Sequence, residues 1–213
     1  MSRQKLKKFA ELDKFDNVAQ LNQVDIKDRL NSFLGNKQKV ILELACGRGA
    51  YSLALAKKYK NTKIIGIDIQ GERLWAGALK AKEEKICNVF FLRIQIEDLL
   101  EYFSEHSINE IWITFPDPYP RDKQIKKRLT SPRFLDIYKK ILIKQGTLHL
   151  KTDAINLFNY SIESIKNNRG KIIEEIRDIY KNTKIPEILK IKTDFEKKHL
   201  ENGKSINYLK FKL

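Results

Sequence analysis

Five short apolar runs, each handing over to a segment of helical spacing, constrain this chain more than any other feature. KVILEL (39–44), KIIGIDI (63–69), NVFFLRI (88–94), NEIWITF (109–115) and GTLHLKT (146–152) are rich in β-branched and aromatic residues. Their apolar character is nearly continuous, as in strands buried on both faces. Between them lie helical patterns over 49–59, over 71–85 (with Trp75, Ala78 and Leu79 on one side), over 96–103 and over 131–142. The last opens with Ser131 and Pro132, an N-cap and a favoured first-turn residue. Residues 153–168 also read as helix, and 171–180 and 205–213 as closing strands. This alternation predicts an α/β fold with an open, mostly parallel sheet covered by helices on both faces. Ligands of such sheets lie outside the carboxyl ends of the strands. The loops after Leu44, Ile67, Ile94, Phe115 and Leu150 are therefore where chemistry is expected. Residues 1–36 carry only scattered apolar positions and are expected to form an N-terminal arm with short helical pieces. Residues 37–213 are expected to form a single domain.

The first of those loops, ELACGRGAYS, opens a helix. Gly47 and Gly49 let the backbone approach a ligand closely. A dinucleotide fingerprint would need a third glycine three positions after Gly49, where Ser52 stands instead. Glu43 at the strand end would repel a pyrophosphate and attract a cationic amino group. Asp68 ends the second strand, where a carboxylate can take both hydroxyls of a ribose. S-adenosylmethionine offers an amino group, a sulfonium and a ribose. The loop after the third strand, RIQIED, should frame the adenine, with Gln95 or Glu97 accepting from the exocyclic amine and the Ile96 backbone nearby. Glu97 and Asp98 also suit the first turn of a surface helix.

The fourth loop, ITFPDPYPRDKQIKKRL (113–129), places Asp117 between Pro116 and Pro118, with Pro120 following Tyr119. Each proline fixes its own φ and restricts the residue before it. The stiffness suits a group that must orient a substrate. Arg121, Lys123, Lys126, Lys127 and Arg128 follow, suited to phosphates. The chain as a whole sets 42 Lys+Arg against 27 Asp+Glu, a formal charge of +15, which implies a polyanionic partner. No apolar run approaches a membrane span of ~18 residues, and MSRQKLKKFA has no apolar segment of the signal-peptide kind. Cys46 and Cys87 form no framework, so a reducing, cytoplasmic setting is expected. His106, His149 and His199 lack metal-ligand spacing, and no metal is expected.

Three motifs in this order resemble the bacterial tRNA (guanine-N7)-methyltransferases, which methylate guanine 46 in the variable loop of tRNA. Their F-x-D-P-W-P-K stretch, basic run and Leu stand here as FPDPYPR…KKRL. Their K-T-D is Lys151-Thr152-Asp153, and their T-x-Y-E is Thr193-Asp194-Phe195-Glu196. The resemblance runs from about residue 39 to the end. It implies a class I S-adenosylmethionine-dependent methyltransferase domain with a Rossmann-like, seven-stranded sheet whose seventh strand is antiparallel. It further implies that Glu43, Asp68, the 95 position and Asp117 bind S-adenosylmethionine. Arg121, Asp153 and Thr193–Glu196 would meet the guanosine, and residues 123–128 would touch RNA. Ala45, Gln95, Tyr119, Arg121 and Phe195 stand where the family has glycine, aspartate, tryptophan, lysine and tyrosine, and Asp122 interrupts the basic run.

Guanine N7 carries a lone pair and no proton, so methyl transfer needs no general base. Asp117 or Asp153 is expected to act by accepting from the guanine N1 and N2 edge. Arg3, Lys5, Lys7 and Lys8 are expected to add phosphate contacts. An amino-group methyltransferase would need [DN]-P-P-[YF], which Asp117-Pro118-Tyr119 lacks. Glu43 and the missing glycine speak against a nicotinamide-dependent oxidoreductase. A tRNA-binding protein without catalysis draws only on Ala45 and Gln95. The oligomeric state, monomer or homodimer, has no sequence signature here.

Overall fold

The computed structural model describes residues 3–21, 23–35, 38–181 and 185–213, with side chains from Lys8 onward. The chain divides into two compact units, Met1–Tyr102 and Phe103–Leu213.

The first unit carries α1 (Arg3–Leu12), β1 (Val18–Gln20), α2 (Ile26–Leu34), β2 (Lys39–Leu44), α3 (Ala50–Lys58), β3 (Thr62–Ile67), α4 (Gly71–Glu83), β4 (Val89–Arg93) and α5 (Leu99–Tyr102). Its strands run in the order β1-β4-β3-β2, all parallel. From Val40 to Leu44, β2 is buried at every position, the outcome its unbroken apolar run implies. Phe91 of β4 is the hub of this core. A Cβ on Gly49 would fall 2.3 Å from its ring, and Gly49 itself has φ 66. Glycine therefore serves there both for a left-handed turn and for the close approach of α3 to the sheet.

Where residues 1–36 are described, they form two short helices, as expected of helical pieces, and in addition an edge strand. The Trp75 indole of α4 donates to Glu11 at 2.8 Å, and β1 pairs with β4 from Val18 to Gln20. Three residues are too few to show a strand's periodicity, so only the partner β4 defines this one. It also corrects the expected strand count, with four strands in each unit among the described residues.

The second unit carries β5 (Ile108–Thr114), α6 (Pro132–Ile141), β6 (Leu142–Thr152), α7 (Ile155–Asn167), β7 (Lys171–Ile176), α8 (Asp194–Glu201) and β8 (Asn207–Lys212). The order is β5-β6-β8-β7. β5 and β6 are parallel, and β8 runs antiparallel to both of its neighbours. Ser131 precedes α6 in extended conformation with Pro132 in the first turn, but its hydroxyl donates to the Lys126 carbonyl at 3.2 Å rather than capping. A polar cluster sits inside this core. The His149 ring stacks on Trp112 at 4.0 Å and 9°, with Nδ1 2.7 Å from the Tyr208 hydroxyl. Glu110 lies 3.3 Å from Nε2 and would favour an imidazolium. Burial opposes it, and with the Lys210 charge lowers the His149 pKa to about 3, so the ring is neutral at neutral pH.

Candidate active site

In the first unit, the loop after β2 is held by two carboxylates. Ala45, Gly47 and Gly49 all have positive φ, so the backbone winds tightly before α3. Glu43 is 1% exposed, and its Oε2 accepts from the Ser52 amide at 2.7 Å and the Ser52 hydroxyl at 2.5 Å. An acid in the first turn of a helix is favoured by the unpaired amides there. Glu43, expected to attract an amino group, has its Oε2 engaged with the start of α3. Asp68, just past β3, accepts from the Gly47 amide through one oxygen and from the Gln70 amide through the other, each at 2.8 Å. A carboxylate has about four acceptor sites, so each oxygen retains capacity for a further donor such as a ribose hydroxyl. A Cβ on Gly47 would meet nothing within 4 Å, so the loop offers open backbone there. Beyond β4, Gln95 and Glu97 are exposed and Ile96 half-buried. These residues fit S-adenosylmethionine: acceptors for its hydroxyls and amine, open backbone at Gly47, and no third glycine for a pyrophosphate. Buried Cys46 lies under the loop. Desolvation, then the Glu43 and Asp68 charges, raise its pKa well above the ordinary thiol value, so it packs as a neutral group.

In the second unit, β5 ends in a stiff, strained loop. The Phe115 amide continues the ladder to the Lys151 carbonyl at 2.8 Å. Phe115 then turns to φ 50 and Tyr119 to φ 43, conformations that cost a side-chain-bearing residue ~1 kcal/mol or more each. Asp117 and Arg121 are exposed between and after the prolines. Arg128 pins the loop from inside. Its Nε and one terminal nitrogen donate to the Tyr119 carbonyl at 3.1 and 3.0 Å, and its guanidinium lies 4.4 Å over the Tyr160 ring. Arg128 is buried, which corrects its expected role as an RNA contact. Lys123, Lys126 and Lys127 are exposed.

The loop after β6 and the start of α8 complete this half. Lys151 and Glu196 are both fully buried. The ammonium reaches the Glu196 oxygens at 2.7 and 2.8 Å and the carbonyls of Leu189 and Ile191 at 3.0 Å each. The Tyr180 hydroxyl donates to Glu196 at 2.7 Å. Burial lowers the Lys151 pKa, with Glu196 opposing. Burial and then the Glu196 carboxylate push the Tyr180 phenol upward. Thr193 caps α8 by accepting from the Glu196 amide at 3.1 Å. Thr193 and Glu196 were expected to meet a guanosine. In the structure Thr193 caps α8 and Glu196 is buried as the counter-charge of Lys151. Asp194 and Phe195 are exposed. Phe195 tilts against Phe115 with centroids 5.4 Å apart. Asp153 is half-buried, with Lys204 at 3.0 Å and His199 at 2.9 Å.

The family model described as "Putative methyltransferase" matches residues 37–209. A protein of Christiangramia forsetii named tRNA (guanine-N(7)-)-methyltransferase is 42% identical, covering 100% of this chain and 99% of that protein. One of the same name from Porphyromonas gingivalis is 44% identical over 85% of this chain and 74% of its own length. A third, from Mycoplasma capricolum, is 37% identical over 84% of each. The chain belongs to the tRNA (guanine-N(7)-)-methyltransferase family. Among solved structures, an antibiotic-related methyltransferase superposes with a TM-score of 0.63 at 21% identity, covering 89% of this chain and 95% of that one. A SAM-dependent methyltransferase from Aquifex aeolicus gives 0.57 at 14%, covering 99% and 98%. These share the Rossmann-like α/β methyltransferase fold.

Within this family member, three neighbours of the candidate residues carry no motif of their own, Ser52, Tyr180 and His199, and the K-T-D motif does not mark its Lys151 as a buried cation. Thr193-x-x-Glu196 does carry a legible signal, that of a capping box, which marks the start of α8. Lys8 was expected on phosphate but lies 4.9 Å over the Trp75 ring and 3.9 Å from Glu72. The side chains of Arg3, Lys5 and Lys7 lie outside the described residues. Among the described residues, no helix is long and apolar enough to cross a membrane, and no three His, Cys, Asp or Glu cluster as a metal site.

Proposed function

We propose that this chain transfers a methyl group from S-adenosyl-L-methionine to N7 of a guanine in tRNA, position 46 of the variable loop, in the cytoplasm, with residues 37–213 working as one catalytic domain. The observation that carries the reading is the loop after β5: an exposed Asp117 on a proline-stiffened turn pinned by Arg128, followed at once by exposed Lys123, Lys126 and Lys127. It joins a rigid acceptor for a base to a surface for phosphates.

S-adenosylmethionine, when bound, supplies an electrophilic methyl carbon on a sulfonium. Asp68 would hold its ribose, the 95–97 turn its adenine, and Gly47 and Gly49 its close backbone contacts, while Glu43 keeps the loop in shape. The guanine N7 lone pair would accept the methyl group that the cofactor supplies, so this chain's residues need move no proton. Catalysis is then proximity and electrostatics. Asp117 or Asp153 accepts from the N1 and N2 edge and offsets the positive charge that the purine gains. Arg121 and Asp194 border the base, and Phe195 offers a face for it to stack on. Turning the guanine out costs a few kcal/mol, which phosphate contacts to Lys123, Lys126 and Lys127 offset. Affinity for tRNA should therefore fall steeply with salt.

The test is methyl transfer from labelled S-adenosylmethionine to unmodified tRNA, followed by chemical mapping of N7-methylguanosine. Incorporation at one variable-loop guanine is expected. Cofactor binding without transfer would overturn the catalytic reading in favour of a tRNA-binding protein.

A further inference from the structure

His199 belongs to none of the family's motifs, yet it touches two residues that do. From α8 its ring stacks on Phe195 with centroids 4.1 Å apart and 29° between planes. Its Nδ1 lies 2.9 Å from Asp153 Oδ2. The nitrogen is buried, and among the described residues it has no well-aligned hydrogen-bond partner: the Asp153 contact is short but bent. Lys204 reaches the same oxygen at 3.0 Å. Both contacts thus fall on Oδ2. Phe195, 49% exposed, is braced by both His199 and Phe115.

We infer that His199 is a positioning residue for the base: it orients the Asp153 carboxylate through Nδ1 and backs Phe195 as a preformed stacking face. The inference rests on the function proposed above. A carboxylate just past a strand end rotates freely unless one oxygen is held. Held at Oδ2 by His199 and Lys204, Asp153 presents Oδ1 to the N–H donors of a guanine edge. The bent Nδ1 contact is the kind that straightens when a ligand engages the acid, and it accounts for a buried ring nitrogen that would otherwise be left unsatisfied. An exposed phenylalanine would lose rotamer freedom on stacking a base. With its ring already braced, that cost is met by the fold.

Three variants separate the two jobs. His199→Ala removes both, His199→Asn keeps a donor near the Nδ1 position, and His199→Phe keeps the ring. Methyl transfer to unmodified tRNA, cofactor affinity by titration and thermal midpoint are measured for each. His199→Ala is expected to lower kcat/KM for tRNA by about 10–100-fold, the scale of a misplaced reactant. Cofactor affinity should stay within about twofold. His199→Asn should recover chiefly kcat, and His199→Phe chiefly KM. If His199→Ala matches an active wild type, or if neither partial variant improves on it, the inference is wrong and the ring merely packs. A wild type that transfers no methyl to tRNA overturns the functional reading itself, and this inference with it.

Discussion

The two units handle buried ionisable groups in opposite ways. In the first, Glu43 and Asp68 are charges held by neutral donors, the amides of Ser52, Gly47 and Gln70 and the Ser52 hydroxyl. In the second, Lys151 and Glu196 neutralise each other, and His149 gives up its proton. Amides stabilise an anion without cancelling it, so a carboxylate held that way keeps acceptor capacity for a ligand. A charge cancelled by its opposite has none to spare and is structural. Two acids that look alike in the sequence, Asp68 and Glu196, are thus held in different ways.

Breaking the pair is the largest perturbation this contrast predicts. Lys151→Met leaves Glu196 buried and unpaired and should cost about 3–5 kcal/mol. For a chain of this size each kcal/mol lowers the thermal midpoint by roughly 2–4 °C. The double variant Lys151→Met with Glu196→Leu should recover most of the loss, since a buried pair exchanged for apolar groups of similar volume is often neutral. A double variant as unstable as the single one would show that the pair is worth more than its mutual cancellation.

Acid tests the other buried group of the second unit. The unfolded His149 takes up a proton below about pH 6.5, its ordinary value, whereas the folded ring resists until about pH 3. Its contribution to stability is therefore intact above the unfolded value and lost as pH falls between the two, by about 1.4 kcal/mol per pH unit. Denaturant midpoints of the wild type and His149→Gln at pH 7.5 and pH 5.0 check this. Over that range the wild type should lose about 2 kcal/mol more than the variant. Parallel losses would place the acid-sensitive group elsewhere.

Asp68 and Glu196 can be contrasted directly. Asp68→Asn puts an N–H group against one of the two donating amides, and it removes the charge proposed to hold the ribose. A loss of cofactor affinity of about tenfold or more is expected from one charge-assisted contact. Glu196→Gln should instead lower the thermal midpoint and leave cofactor affinity within about twofold, because its carboxylate faces Lys151 and Tyr180. Isothermal titration and a melt on both variants settle it. Normal cofactor binding by Asp68→Asn would remove Asp68 from the site.

Local chemistry makes much of this legible in the amino-acid sequence. Continuous apolar runs place β2 to β6, and strand-end geometry singles out Asp68 and Asp117. What stays hidden depends on partners far along the chain. β1 is too short for periodicity and exists through β4. Arg128 sits in a run of cations and differs from them only because Tyr160 and the Tyr119 carbonyl lie beside it. Glu196 reads as an available acid until β6 delivers Lys151 against it. Asp153 and Phe195 are both legible, but His199, which touches both, carries no spacing of its own.

The smallest predicted effect concerns the strain in the amide-held loop. Ala45 has φ 55, a left-handed conformation that costs a residue with a Cβ roughly 1 kcal/mol or more. Ala45→Gly removes that cost but loosens the unfolded chain, which takes back about 0.4–1 kcal/mol. The net change should lie between zero and about 1 kcal/mol of stabilisation, at most a few degrees in thermal midpoint. Cofactor affinity should hold, because Glu43 and Asp68 grip the loop through Ser52, Gly47 and Gln70 and not through Ala45. A variant that is clearly destabilised, or that binds the cofactor tenfold more weakly, would mean that the Ala45 methyl itself braces the loop. The two carboxylates would then be insufficient to shape it, and the contrast between amide-held and pair-held charges would lose its simplest case.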